Sequence, residues 1–81
     1  MAAAGRGLRP RSLVAQGRTA LDRGDWAAAR PLFAAAMERD DTPDACYGLA
    51  RAEEWAGDFA AAVRHYERAY AGYRARGDAR R

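Results

Sequence analysis

DFAAAVRHYERAYAGY, the stretch Asp58–Tyr73, decides how the rest of this chain is read. Phe59, Ala62, Val63, Tyr66, Ala69, Tyr70 and Tyr73 recur at spacings of three and four, which lays them along one side of a helix. Arg64, Arg68 and Arg74 fall off that stripe, so the helix has a wet side as well. Asp58 suits the N-cap, where a carboxylate accepts from the free amides of the first turn. Small and large residues alternate along the stripe, Ala62 and Ala69 between Phe59, Tyr66 and Tyr73. A helix written this way expects close neighbours on its apolar side.

The pattern occurs earlier in the chain too. Gly24-Asp25-Trp26 precedes Ala29, Phe33 and Ala36, as Gly57-Asp58-Phe59 precedes Ala62, Tyr66 and Ala69. Each pair is offset by 33 residues, read directly from the numbering. An alanine-rich chain repeats alanines by chance, but not a glycine, an acid and two aromatics in the same register. A fixed period of this length marks a helical repeat array.

The remaining elements follow from caps and breakers. Ser12 caps a first helix predicted from about Leu13 to Arg23, with Leu13, Val14, Gly17, Ala20 and Leu21 as its apolar stripe. Gly17 costs about 1 kcal/mol relative to alanine in a helix interior, so close approach of the next helix is expected there. Gly24 ends that helix and Asp25 opens the second, predicted over Trp26–Arg39, with Trp26, Ala29, Phe33, Ala36 and Met37 facing inward. Pro31 lies inside it and removes one backbone bond; the register nevertheless continues across, which favours one helix with a local distortion. Thr42 as N-cap, Pro43 behind it and Asp44 in the first turn start a third helix that runs to about Ala56. Cys46, Tyr47, Leu49, Ala50 and Glu53 lie along or beside its inner side. The fourth helix is the opening stretch, and Gly77 ends it. The predicted fold is all-α: four helices in two antiparallel pairs, at about 12–41 and 42–77, within a repeat region spanning 12–81. Residues 1–11, small, glycine-containing and basic, are expected to be disordered.

Composition narrows the function classes. With 81 residues the chain holds one small domain and a thin core. No apolar run approaches a membrane span, and residues 1–12 contain no signal-peptide core, so a cytoplasmic location is expected. Cys46 stands alone, which excludes an internal disulfide and fits a reducing compartment. All 14 basic residues are arginine, and lysine, isoleucine and asparagine are absent, which reads as the coding bias of a GC-rich bacterial genome. The net charge of +3 comes from Arg6, Arg9 and Arg11, which stand where there is no acid; the repeat body is balanced. A nucleic-acid surface concentrates cations on the folded face, so direct nucleic-acid binding is not expected.

No catalytic, cofactor or metal constellation is predicted. Without lysine a Walker-type phosphate loop is excluded. His65 and Cys46 have no third ligand in sight, so His65 reads as a wet-side residue and Cys46 as a small core residue. Glu53 and Glu54 are helix neighbours that point apart, and they read as a solvated edge. Arg76-Gly77-Asp78 spells an adhesion tripeptide, but its glycine serves as a helix stop. Tyr66, Tyr70 and Tyr73 read first as core.

The layout resembles the tetratricopeptide repeat, a family of helix pairs with a period of about 34 residues. Gly17, Ala20, Ala29, Phe33 and Ala36 carry the likeness in the first unit; Leu49, Ala50, Ala62, Tyr66 and Ala69 carry it in the second, and the Gly-Asp-aromatic turn matches twice. The period is one residue short, and neither unit has the family's closing proline, although Pro43 follows nearby. The resemblance covers residues 12–77 and implies a protein-interaction module that binds a peptide or helix in a groove lined by the first helix of each unit. Arg18, Tyr47, Arg51 and Glu54, off the buried stripes of helices one and three, are the candidate groove residues. The stretch from Gly24 to Arg81 is similar, more narrowly, to repeat regions of large bacterial signalling regulators with an ATPase-like centre and often a LuxR-type DNA-binding end. Motifs for those two activities are absent, and a truncated or orphan segment of such a transcriptional regulator is the alternative expectation. Finally, the last helix carries more apolar surface than one preceding helix can cover. Tyr70 and Tyr73 are therefore candidate contact residues, and self-association through this helix is expected.

Overall fold

The computed structural model describes residues 12–77. They form α1 (Ser12–Asp22), α2 (Trp26–Arg39), α3 (Pro43–Ala56) and α4 (Phe59–Ala75), an all-α pair of helical hairpins with no strand among the described residues. The disorder expected over 1–11 lies outside the described residues.

The two hairpin turns are built alike. The Asp25 amide donates to the Ala20 carbonyl at 2.8 Å and the Gly24 amide to Leu21 at 2.8 Å. At the second turn the Asp58 amide donates to Glu53 at 2.9 Å and Gly57 to Glu54 at 3.1 Å. This nested pair satisfies the last carbonyls of the outgoing helix and requires a left-handed residue at its tip. Gly24 (φ 77°) and Gly57 (φ 90°) supply it. The next side chain then caps the incoming helix: Asp25 accepts from the Ala28 amide at 3.1 Å, and Asp58 from Ala61 at 3.3 Å. Between the units Thr42 Oγ1 accepts from Ala45 at 3.2 Å, with Pro43 in the first turn. Ser12 is already helical, one residue earlier than its expected capping role. Helix α2 continues through Pro31 without a break, as the repeat register implies.

The helices stack in order, α1 on α2, α2 on α3, α3 on α4, with a smaller contact between α1 and α3. Among the described elements α4 packs on α3 alone. The core is made mostly of small residues, with Leu49, around one aromatic ring. Ala20, Ala29, Ala36, Ala45, Ala50, Ala52, Ala62 and Ala69 are buried, and Phe33 sits among them at 1% exposure. Its ring lies between two glycines. A Cβ on Gly17 would fall 2.7 Å from Phe33 Cε2 and Cζ, and one on Gly48 would overlap Cε1 and Cζ on the other edge. The close approach expected at Gly17 is therefore present, with Phe33 as the approaching group.

The apolar stripe of α4 divides. Ala62 and Ala69 are buried, Tyr66 and Tyr73 half-buried, but Phe59, Val63 and Tyr70 are 64%, 53% and 55% exposed. The stripe is too wide for one neighbouring helix, so its far edge stays in water. Tyr70 is thus not a core residue. Trp26, expected to face inward, lies at the surface beside the first turn.

Candidate functional site

The first helices of the two units, α1 and α3, flank a groove of about 360 Å³. Arg18, Leu21 and Asp22 of α1 face Asp44, Tyr47, Gly48 and Arg51 of α3 across it. The buried ring of Phe33 from α2 forms part of its wall, and Tyr73 of α4 reaches it from the other side. Gly48 keeps this wall open, because any side chain there would enter the space of Phe33.

The groove's polar groups are partly committed. Tyr73 donates its hydroxyl to Asp44 Oδ1 at 2.5 Å, and Asp44 Oδ2 lies 4.0 Å from an Arg18 guanidinium nitrogen. One carboxylate thus links three helices. Burial, then the hydrogen bond to Asp44, push the Tyr73 phenol up to about 12, against the pull of Arg18. Arg51 is exposed and has no ion pair among the described residues. Beside it the Tyr47 ring meets Tyr66 edge to face, with centroids 5.5 Å apart. Tyr66 in turn donates to Glu54 Oε1 at 2.7 Å, and its phenol is raised by burial first and by this bond second.

The six residues singled out from sequence therefore separate. Arg18, Tyr47, Arg51 and Tyr73 meet in one groove. Glu54 lies outside its lining and anchors Tyr66. Tyr70 is on the exposed edge of α4. Sequence reading missed Asp44, which it used only as a helix start, and Gly48, which carries no polar signal at all.

A second cluster lies between α3 and α4. Glu53 is only 5% exposed, and His65 Nδ1 is 2.7 Å from its Oε1. Two expectations are corrected here: Glu53 is not a solvated edge, and His65 is half-buried rather than wet. The short reach between adjacent helices explains both, since each supplies the other's hydrogen bond inside the contact. Cys46 is buried and donates Sγ–H to the His65 carbonyl at 3.3 Å. Burial pushes its thiol up, which keeps it a poor nucleophile. Among the described residues no three His, Cys, Asp or Glu side chains gather as a metal site. No described helix is long and apolar enough to cross a membrane.

Comparison with known proteins agrees with this geometry. A family model described as Tetratricopeptide repeat matches residues 20–69, the span from the end of α1 to the middle of α4. No curated protein and no solved structure matches the chain.

Proposed function

Because the chain belongs to the tetratricopeptide repeat family, we propose that it is a non-catalytic protein-interaction module whose α1–α3 groove takes a peptide or helix of a partner protein. The observation that carries this reading is the groove itself. It pairs a preformed apolar wall, Phe33 and Leu21, with exposed Tyr47 and with Arg51, which has no ion pair among the described residues. Tyrosine and arginine anchor protein interfaces more often than other surface residues do, because each combines a large contact area with directional hydrogen bonds. Gly48 and the Tyr73–Asp44 bond fix the shape before any partner arrives, which lowers the ordering cost of binding.

The test is affinity capture with the whole chain as bait, beside an Arg51→Glu, Tyr47→Ala variant. Both residues are exposed, so helicity by circular dichroism should be unchanged. Partners held by the native chain and lost by the variant support the reading. Equal capture by both would overturn it.

The likeness to repeat regions of bacterial signalling regulators supplies the setting: a cytoplasmic, transcription-regulating assembly in which this segment does the docking. What supports this is the residue pattern from Gly24 to Arg81. The exposed edge of α4 belongs to the same proposal as a second contact surface, through which chains associate with one another.

A further inference from the structure

Phe59, Val63, Tyr66, Tyr70 and Tyr73 follow one another at steps of four, three, four and three along α4. That is the seam spacing of paired helices. The side of α4 adjoining this seam is already used: Ala61, Ala62 and Ala69 are buried, Tyr66 and Tyr73 are half-buried, and α3 is the only described helix packed against it. Helix α4 therefore carries one wide apolar stripe, covered along one edge and open along the other at Phe59, Val63 and Tyr70. Tyr66 and Tyr73, at its covered edge, are held in place by their hydroxyls, bonded to Glu54 and Asp44 of α3. The open face is thus shaped in advance.

The equivalent face of the first unit shows what such a surface becomes when covered. Thirty-three residues earlier, Phe33 stands where Tyr66 stands, and it is buried under α3. The α3 helix reaches it only through Gly48, which has no side chain. The α4 seam asks for a different occupant, because Phe59, Val63 and Tyr70 protrude from it and need an equally long partner seam.

Resting on the self-association reading, we infer that the occupant is a second copy of this chain, paired antiparallel along α4 about a two-fold axis between Arg64 and His65. In that register Phe59 stacks on the partner's Tyr70, and Val63 on the partner's Tyr66. Every protruding residue meets one of the same seam, as a two-fold interface requires. Ala60 falls close to the partner's Glu67, so that carboxylate meets no acid, while Arg64 and its own copy flank the axis on the exposed side. The antiparallel sense also brings Arg74 and Arg76, at the basic end of α4, towards the acidic start of the partner's helix at Asp58. A parallel pair would set arginine against arginine and aspartate against aspartate, with the helix dipoles aligned.

Area decides how tight this dimer is. At about 150–250 Å² per large side chain, the exposed fractions of Phe59, Val63 and Tyr70 leave roughly 300 Å² of open apolar surface per chain. Two copies bury roughly 600 Å² of apolar surface, or about 1,000 Å² with the polar share of a typical interface, below the roughly 1,200 Å² of stable specific interfaces. The dimer is therefore weak and reversible. Arg18, Tyr47 and Arg51 lie off the seam, so the dimer presents two grooves and favours a partner that offers two copies of its motif.

The experiment is sedimentation of the whole chain from micromolar to hundreds of micromolar, with a cross-linking arm. The expected result is a monomer–dimer equilibrium within that range, weakened at least tenfold by Phe59→Ser with Tyr70→Ser. In a Cys46→Ser background, a Phe59→Cys chain mixed with a Tyr70→Cys chain should give mainly the mixed disulfide. A monomer at every concentration overturns the self-association and the register together. A dimer that instead joins two Phe59→Cys chains overturns the antiparallel sense alone. A dimer that ignores the serine changes places the contact off the seam and overturns the inference.

Discussion

Replacing Gly48 by alanine puts a methyl group where the ring of Phe33 already lies. In most helix interiors the same change stabilises, by about 1 kcal/mol, since alanine loses less entropy than glycine. Here the new Cβ would overlap Cε1 and Cζ of a ring that is fully enclosed. The ring has no retreat, because its far edge is 2.7 Å from where a Cβ on Gly17 would sit. Overpacking of this kind costs about 1–3 kcal/mol, and a pinned ring argues for the upper part of that range. After subtracting the propensity gain, the expected loss is about 1–2 kcal/mol. For a domain of this size, that lowers the melting midpoint by roughly 5–15 °C. Thermal unfolding followed by circular dichroism reads it. If the variant fails to fold at all, the cycle with Phe33→Leu keeps the reasoning open to test. Alanine at position 48 should then cost about 1 kcal/mol less in the leucine background, where no ring fills the space, as coupled neighbours do. A Gly48→Ala chain that melts higher than the native one would refute the wedge between the two hairpins.

Three further outcomes are expected. Ala62 is buried at the α3–α4 contact, so Ala62→Leu should destabilise by about 1–3 kcal/mol through overpacking, visible as a lower urea midpoint. Asp58→Ala removes the cap on the Ala61 amide and an exposed ion pair with Arg30 at 3.7 Å. It should lower stability by about 1 kcal/mol, nearly all of it from the cap, since exposed pairs contribute little. The raised phenol of Tyr73 makes stability fully present below pH 10 and lost as pH climbs towards 12, because the folded state holds its proton longer. Tyr73→Phe should flatten that alkaline limb, measured by unfolding at stepped pH with tyrosinate absorbance as the monitor.

What the sequence made legible was whatever is decided locally. A turn of Gly-Asp-aromatic needs only its own residues: the glycine takes the left-handed tip, and the aspartate caps the next helix. Both turns are where the 33-residue offset places them. Thr42 and Pro43 worked for the same reason. Contacts between helices were harder. Gly17 was legible as a point of close approach only because a glycine inside a helix needs a reason. Gly48 has the same signature, yet its partner, Phe33, lies on a different helix in the other unit, and nothing in the local pattern names it.

Glu53 and Tyr70 show where charge and hydropathy mislead in opposite directions. A glutamate beside another glutamate on a helix reads as solvated, but a histidine one helix away supplies a 2.7 Å partner that makes burial tolerable. A tyrosine on an apolar stripe reads first as core, but the surplus width of the α4 stripe already marked Tyr70 as a contact residue, and it lies on the uncovered edge. Which edge of a wide stripe is covered depends on which neighbours exist, and that is not written in the helix itself. The groove was legible in part for the same reason. Arg18, Tyr47 and Arg51 share the faces of α1 and α3 that their own periodicity defines. Asp44 enters only through bonds to α1 and α4, one weak and one short, and Tyr73 only through its hydroxyl. If the groove takes a peptide as proposed, that peptide meets an aspartate already engaged on both sides and an Arg51 with no ion pair among the described residues. The first charge it brings should be negative and should settle at Arg51.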